Sequence, residues 1–337
     1  MVGLMKILIV ANYKENSGGI SVQVKSIVSH LVEDGHLATI FTTSGSLMNK
    51  MIYPFALLLK GRDYDVFHIH CCSYRGFFPA VLGIMIGKLL KKTIILTYHG
   101  GDADAFFNKR TRFVKFFLSR TDTNVVLSKY HGMVFKKYDL PYVVIPNVFE
   151  YDEEHFRLRS EICPKFICIR SHTETYNIKC IIDAFSKVKQ VYESATLTLI
   201  GDGLQHQELK DYAAQLDVND IVFLGRIPNA RIFEHLDNSD IMLSSPVIDN
   251  MPISLLEGFS AGLLVISSNV GGVPFMIENG KNGLLFESGN SNDLCGKMVW
   301  ALEHQENSKE MILSAKDSLR AYSWDIVGSR LYSIFNA

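Results

Sequence analysis

Two acids, Asp249 and Glu257, stand with seven residues between them in the stretch SSPVIDNMPISLLEGFSAGLL, on either side of Pro252. Proline costs nothing in a first helical turn, because the N–H it lacks has no partner there anyway. A helix starting at this point leaves the N–H groups of Ile253 and Ser254 bare. Small residues (Ser260, Ala261, Gly262) stop it, and a short apolar strand and a Gly271-Gly272 turn follow. Bare N–H groups at the positive end of a helix hold a phosphate. Carboxylates accept hydrogen bonds from ribose or sugar hydroxyls. A sugar nucleotide needs both. The helix dipole alone contributes about 0.3–1 kcal/mol, so a side-chain cation is needed as well.

Those residues need a scaffold, and the apolar pattern predicts one. Strand-like runs at 5–11, 36–43, 66–70, 93–99, 124–128 and 142–146 alternate with helical stretches, the first of them at 19–34. The runs are continuously apolar, as in parallel strands covered on both faces. Residues 148–165 are charged and aperiodic and read as a linker. A second series follows at 166–170, 196–201, 220–225, 240–245, 263–268 and 283–286. The expected architecture is α/β, with two doubly wound Rossmann-like domains. The expected boundaries are 1–147, a linker at 148–164, 165–320, and a C-terminal helix at 321–337 returning to the first domain. Ligands of such sheets bind outside the carboxyl ends of the strands, here expected in a cleft between domains.

A chain of 337 residues, 47% apolar and 20% charged, suits two globular domains. No apolar run reaches the roughly 18–20 residues of a spanning helix. The opening MVGLMKILIVA lacks a basic leader and a cleavage signal and reads as a buried first strand. Six cysteines without C-x-x-C spacing read as reduced thiols of a cytoplasmic protein. Residues 1–150 hold 18 Lys and Arg against 10 Asp and Glu, whereas residues 151–337 hold 16 against 25. A basic half beside an acidic half implies that one of them meets an anionic partner.

With these residues in view, the chain resembles the family 4 glycosyltransferases of the GT-B fold, which are retaining and metal-independent. The resemblance covers nearly the whole chain. It is most specific at Asp249…Glu257, the Gly271-Gly272 turn and the NGLLF strand. The family usually has Glu at the first acid, where this chain has Asp249. The resemblance implies that Asp249 contacts donor-sugar hydroxyls and Glu257 the ribose diol. It implies a diphosphate clamp at Arg170, in the segment CIRSHTETYNIKC. The family's Lys-Gly is replaced there by Tyr176-Asn177, as in a subset of the family, and the Lys role is not carried to Lys179. Gly18 and Gly19, in NSGGIS after the first strand, would line the donor phosphates or the transferred sugar; a plain tight turn is the alternative. His99, at a strand end in YHGGD, would face the reaction centre. The segments at Gly201-Asp202-Gly203 and at Gly225 and Ile227 would flank the nucleotide base or simply form turns. Asp102 is a weaker acceptor contact. His68 and His70 read as core histidines, one pointing to each face of their strand.

The resulting expectation is an enzyme moving a sugar from a UDP-linked donor to a glycan or polyprenyl-diphosphate-linked acceptor in surface-polysaccharide synthesis. His99, Arg170 and Asp249 would carry the chemistry, with no metal and no cofactor beyond the donor. No nucleic-acid partner is expected. The run NKRTRFVKFFLSR (108–120) is either an amphipathic helix packing its Phe residues inward or a contact with an anionic membrane, which would place the protein on the inner face of the cell membrane. A GT-B sugar-nucleotide epimerase and a non-catalytic sugar-nucleotide-binding partner share the same features.

Overall fold

The computed structural model describes residues 4–15 and 18–336. The chain divides into two compact units. One holds the residues up to Val148 together with those from Tyr322; the other is Phe149–Ala321.

In the N-terminal unit, strand and helix alternate as the apolar runs predict: β1 (Lys6–Ala11), α1 (Gly18–Glu33), β2 (Leu37–Thr42), α2 (Leu47–Gly61), β3 (Val66–Cys71), α3 (Phe78–Leu89), β4 (Thr93–Tyr98), α4 (Ala103–Lys109), α5 (Thr111–Leu118), β5 (Thr123–Val126), α6 (Lys129–Lys137) and β6 (Val143–Val144). The strands pair in the order β2-β1-β3-β4-β5-β6, and every pairing is parallel. Because β1 is followed by β2 on one side and β3 on the other, the order reverses between β1 and β3. Their carboxyl ends therefore open a crevice. Residues of β3 are buried throughout, as a central strand covered on both faces requires.

The C-terminal unit runs through β7 (Lys165–Ile169), α7 (Ile178–Val191), β8 (Thr196–Ile200), α8 (His206–Gln215), β9 (Ile221–Gly225), α9 (Ile232–Asp237), β10 (Ile241–Ser244), α10 (Ile253–Ser260), β11 (Leu264–Ser268), β12 (Leu284–Phe286), α11 (Ser291–Glu303) and α12 (Gln305–Ser318). Its parallel order is β12-β11-β10-β7-β8-β9, so the reversal falls between β7 and β10. The last helix, α13 (Trp324–Phe335), belongs to the N-terminal unit. It buries Val327, Leu331 and Phe335 with Ile7, Ile9 and Ile95 of that sheet. Trp324 Nε1 and the Tyr332 hydroxyl both donate to Asp34 Oδ2, at 2.8 and 2.5 Å.

Arg159 anchors the charged segment 148–164, which the sequence reads as a linker. That side chain is buried. Its Nε lies 3.2 Å from Asp240 Oδ1, and its two terminal nitrogens donate to the carbonyls of Arg157, Leu236, Ser239, Ala261 and Gly262. His68 and His70 do not point to opposite faces. Alternation along a strand has period two, so residues two apart share a face. Their ring centroids are 4.3 Å apart.

Candidate functional site

The reversal between β7 and β10 gathers the chemistry of the C-terminal unit. Arg170 follows the last residue of β7, and its N–H donates to Ile200 O at 3.0 Å. Asp249 lies on the segment leaving β10. The two side chains meet, with Nη2 3.1 Å from Asp249 Oδ2 and both nearly buried. Proximity does not become hydrogen bonding here. Arg170 Nε, Arg170 Nη2 and Asp249 Oδ2 are all buried without a hydrogen-bond partner. Buried polar atoms left in that state cost on the order of 1–3 kcal/mol each, more when charged. The guanidinium also lies 5.0 Å over the Tyr176 ring.

The Gly271-Gly272 turn fixes Asp249. Gly272 N–H donates to Asp249 O at 2.9 Å, and Asp249 Oδ1 accepts from Asn250 N at 2.8 Å. Gly271 has φ 53°, and a Cβ there would collide with the Asp249 carbonyl. A Cβ on Gly272 would collide with that of Asn250. Only glycine allows the two backbones to lie this close.

The helix α10 begins one residue later than expected. Pro252 is its N-cap, with φ −69° and ψ 115°, and no side chain caps the end. Ile253 and Ser254 are thus the first two helical residues, and their N–H groups precede the first that can bond within the helix. Glu257 sits one turn on. Burial raises its carboxyl above the usual range, and the Arg170 charge opposes that rise. Among the described residues its carboxylate has no hydrogen bond or ion pair.

The Tyr176-Asn177 pair is a tight turn, with Asn177 in the left-handed region at φ 42°. The Ser245 hydroxyl lies 2.9 Å from both of its carbonyls and ties it to the end of β10. Lys179 stands over the Tyr212 ring at 4.3 Å. Gly225 ends β9 with φ 66°, and its carbonyl accepts from Gly201 N at 2.9 Å. Ile227, half-buried, follows it. Sequence reasoning passed over His172 and His206, whose rings stack at 4.9 Å with Nδ1 atoms 2.9 Å apart beside that turn. Burial lowers His172 to about 4, so it is neutral near pH 7. Its position just past a strand end was the available signal.

In the N-terminal unit, Gly18 and Gly19 open α1. A Cβ at Gly19 would meet nothing within 4 Å, so no crowding demands glycine there. Asn16 and Ser17 of NSGGIS lie outside the described residues. His99 follows β4, and its Nε2 lies 2.9 Å from His70 Nδ1. Burial pushes His99 down to about 3, with the charges of His131 and His68 acting the same way. His70 Nε2 is buried without a partner. An orphan lone pair is tolerated better than an orphan N–H. We therefore assign the His70 proton to Nδ1, donating to His99 Nε2, so that His99 carries its own proton on Nδ1. His131, also missed in the sequence, holds the turn after His99 through Nε2 at 2.7 Å from Gly100 O.

Asp102 accepts from the Tyr74 hydroxyl at 2.9 Å, while Asp104 pairs with Lys137 at 2.7 Å. The two acids thus serve different partners. Among the described residues no group of three or more His, Cys, Asp or Glu is placed to hold a metal ion. The run 108–120 forms the end of α4 and then α5. It turns Phe117 inward but leaves Phe113 44% and Phe116 51% exposed.

Residues 151–318 match the family described as Glycosyl transferases group 1, and residues 45–153 match Glycosyltransferase Family 4. The chain is similar to N-acetyl-alpha-D-glucosaminyl L-malate synthase of Bacillus anthracis. The two are 24% identical over 281 residues, covering 78% of this chain and 72% of that one. It is similar to alpha-monoglucosyldiacylglycerol synthase of Streptococcus pneumoniae, 22% identical over 378 residues, covering 96% and 83%. Among solved structures, the Anabaena protein HepE in complex with UDP-glucose superposes with a TM-score of 0.79 at 16% identity, covering 98% of this chain and 99% of that one.

Proposed function

We propose that this chain, a glycosyltransferase with the GT-B fold, is a retaining, metal-independent enzyme that takes its sugar from a UDP-linked donor held by the C-terminal unit. The observation that carries the proposal is the set of buried, unsatisfied atoms on Arg170 and Asp249 beside the uncapped start of α10. A diphosphate offers acceptors to the Arg170 nitrogens and to the Ile253 and Ser254 N–H groups. A sugar hydroxyl offers a donor to Asp249. Glu257, unpaired and one turn along, suits the ribose diol. Gly225 and Ile227 would border the base.

Catalysis would come from stabilising the departing diphosphate, with the acceptor hydroxyl attacking on the face it leaves. His99 stays neutral at working pH and can offer its Nδ1–H to a sugar hydroxyl without adding charge. Removing Glu257 tests the donor assignment. Glu257→Ala should weaken UDP binding by about 1.5–3 kcal/mol, the range of a charge-assisted hydrogen bond. That is a loss of roughly 10- to 150-fold in a calorimetric titration. Equal affinity in the variant and the wild type would sink the ribose role.

We assign the acceptor to the N-terminal unit, as a glycan or polyprenyl-diphosphate-linked sugar of surface-polysaccharide synthesis. An anionic membrane is the proposed setting. Helices α2, α3 and α5 of that unit expose the large apolar side chains of Met51, Phe55, Met85, Leu89, Phe113 and Phe116. The exposed Lys109 and Arg112 stand beside the last two. No described helix is long and apolar enough to cross a bilayer. Each Lys or Arg near an anionic surface contributes about 1 kcal/mol. The protein should co-sediment with anionic vesicles at low salt and come off at high salt; indifference to the lipid charge would remove the membrane from the account.

A further inference from the structure

The N-terminal unit has a second feature at its own strand-order reversal. A cavity of about 230 Å³ opens at the carboxyl ends of β1, β2 and β3, lined by Asn12, Thr43, Ser44, Lys50 and Arg75 among others. Among the described residues no carboxylate lines it. Thr43 is 2% exposed, and its Oγ1 is buried without a hydrogen-bond partner. A hydroxyl in that condition costs free energy unless something in the cavity completes it. Lys50 and Arg75 add two positive charges, and among the described residues neither is in an ion pair. Lys50 Nζ lies 5.8 Å over the Phe78 ring, which leaves its donors free.

A neutral sugar would be gripped chiefly by carboxylates. Two unpaired cations beside the Thr43 and Ser44 hydroxyls and the Asn12 amide, with no acid among the described lining residues, suit a phosphoryl group. Arg75 also lines a neighbouring cavity of about 400 Å³, with Tyr74, Phe106, Arg110 and Phe113. Its walls are mainly aromatic, and among the described residues no carboxylate or amide lines it to hold sugar hydroxyls.

We propose that the polar cavity seats the phosphoryl group of an anionic acceptor, a mono- or diphosphate ester, and that the aromatic cavity takes the hydrocarbon attached to it. The proposal rests on the reading of the N-terminal unit as the acceptor unit, and it narrows that acceptor to a phosphorylated amphiphile. Lys50 and Arg75 would bind the phosphoryl oxygens, Thr43 would donate its hydroxyl proton to one of them, and Phe113 and Phe106 would cover the chain.

The test is calorimetric, on the full chain with UDP held at saturation, so that added phosphates do not compete for the C-terminal unit. Geranyl diphosphate and inorganic pyrophosphate are the two probes. Both should bind the wild type, geranyl diphosphate at least tenfold more tightly. Lys50→Gln/Arg75→Gln should lose tenfold or more for both, and Thr43→Val a smaller amount, while UDP affinity stays within twofold. Lys50→Gln alone, at an exposed position, should show part of the loss if the double variant folds poorly. Equal binding of the two probes would overturn the hydrocarbon half. No binding of either probe to the wild type, or unchanged binding in the Lys50 and Arg75 variants, would overturn the phosphoryl seat. A separate titration with UDP alone keeps the two readings apart, since its failure would count against the donor assignment and not against this cavity.

Discussion

Replacing Arg170 with Ala should lower kcat by about 10²–10³, the range seen when one preorganised donor to a developing charge is removed. Negative charge grows on the diphosphate as the glycosidic bond breaks, so a guanidinium aimed at it counts most in the transition state. The structure gives the variant two further burdens. Asp249 Oδ2, 3.1 Å from the guanidinium, loses its only nearby cation among the described residues. Glu257 loses the charge that opposes its burial and should bind protons more readily. UDP affinity should fall less, by about tenfold, because the N–H groups at the start of α10 and the Glu257 carboxylate remain. Arg170→Lys should recover only part of the rate, since an ammonium is a point charge without the planar fork. Steady-state kinetics beside UDP titrations decide the matter. A variant that loses affinity and keeps kcat would show that Arg170 binds the ground state alone.

Arg159→Ala should destabilise the C-terminal unit by about 3–5 kcal/mol, the cost of breaking a buried ion pair from one side. The side chain reaches six oxygens, and its removal strands the Asp240 carboxylate, whose Oδ2 keeps a single bond from Cys163 N at 2.8 Å. For a unit of this size the melting point should drop by about 10 °C. Arg159→Lys should rescue little, since three donors on one nitrogen cannot serve carbonyls arrayed around a flat five-donor group. An unchanged melting temperature would show that Arg159 does not hold the segment in place.

Some of this molecule was legible in the chain because the information is local. Asp249, Pro252, Glu257 and the Gly271-Gly272 turn lie within 24 positions, and their spacing alone specifies an uncapped helix start between two acids. Strands such as β1 and β11 were legible because burial on both faces leaves a nearly unbroken apolar run. The anchoring of 148–164 was not legible. Arg159 finds its most distant partner, Gly262, 103 residues away, and a charged aperiodic segment looks the same whether it is solvated or pinned. The shared face of His68 and His70 follows from the strand period, which puts residues two apart on one side. The cluster of Thr43, Lys50 and Arg75 was not legible, because it joins the residue after β2, the start of α2 and the turn after β3. His172 and His206 pair across 34 residues for the same reason.

The most direct test of the central claim is product analysis by NMR after incubating the protein with UDP-hexoses, with and without a polyprenyl-diphosphate-linked sugar, in the presence of EDTA. Acceptor-dependent release of UDP and a new glycoside with the anomeric configuration of the donor, undiminished by the chelator, are the expected results. An inverted anomer, activity lost to EDTA and restored by Mg²⁺ or Mn²⁺, or an epimerised UDP-sugar formed without acceptor would contradict the central claim.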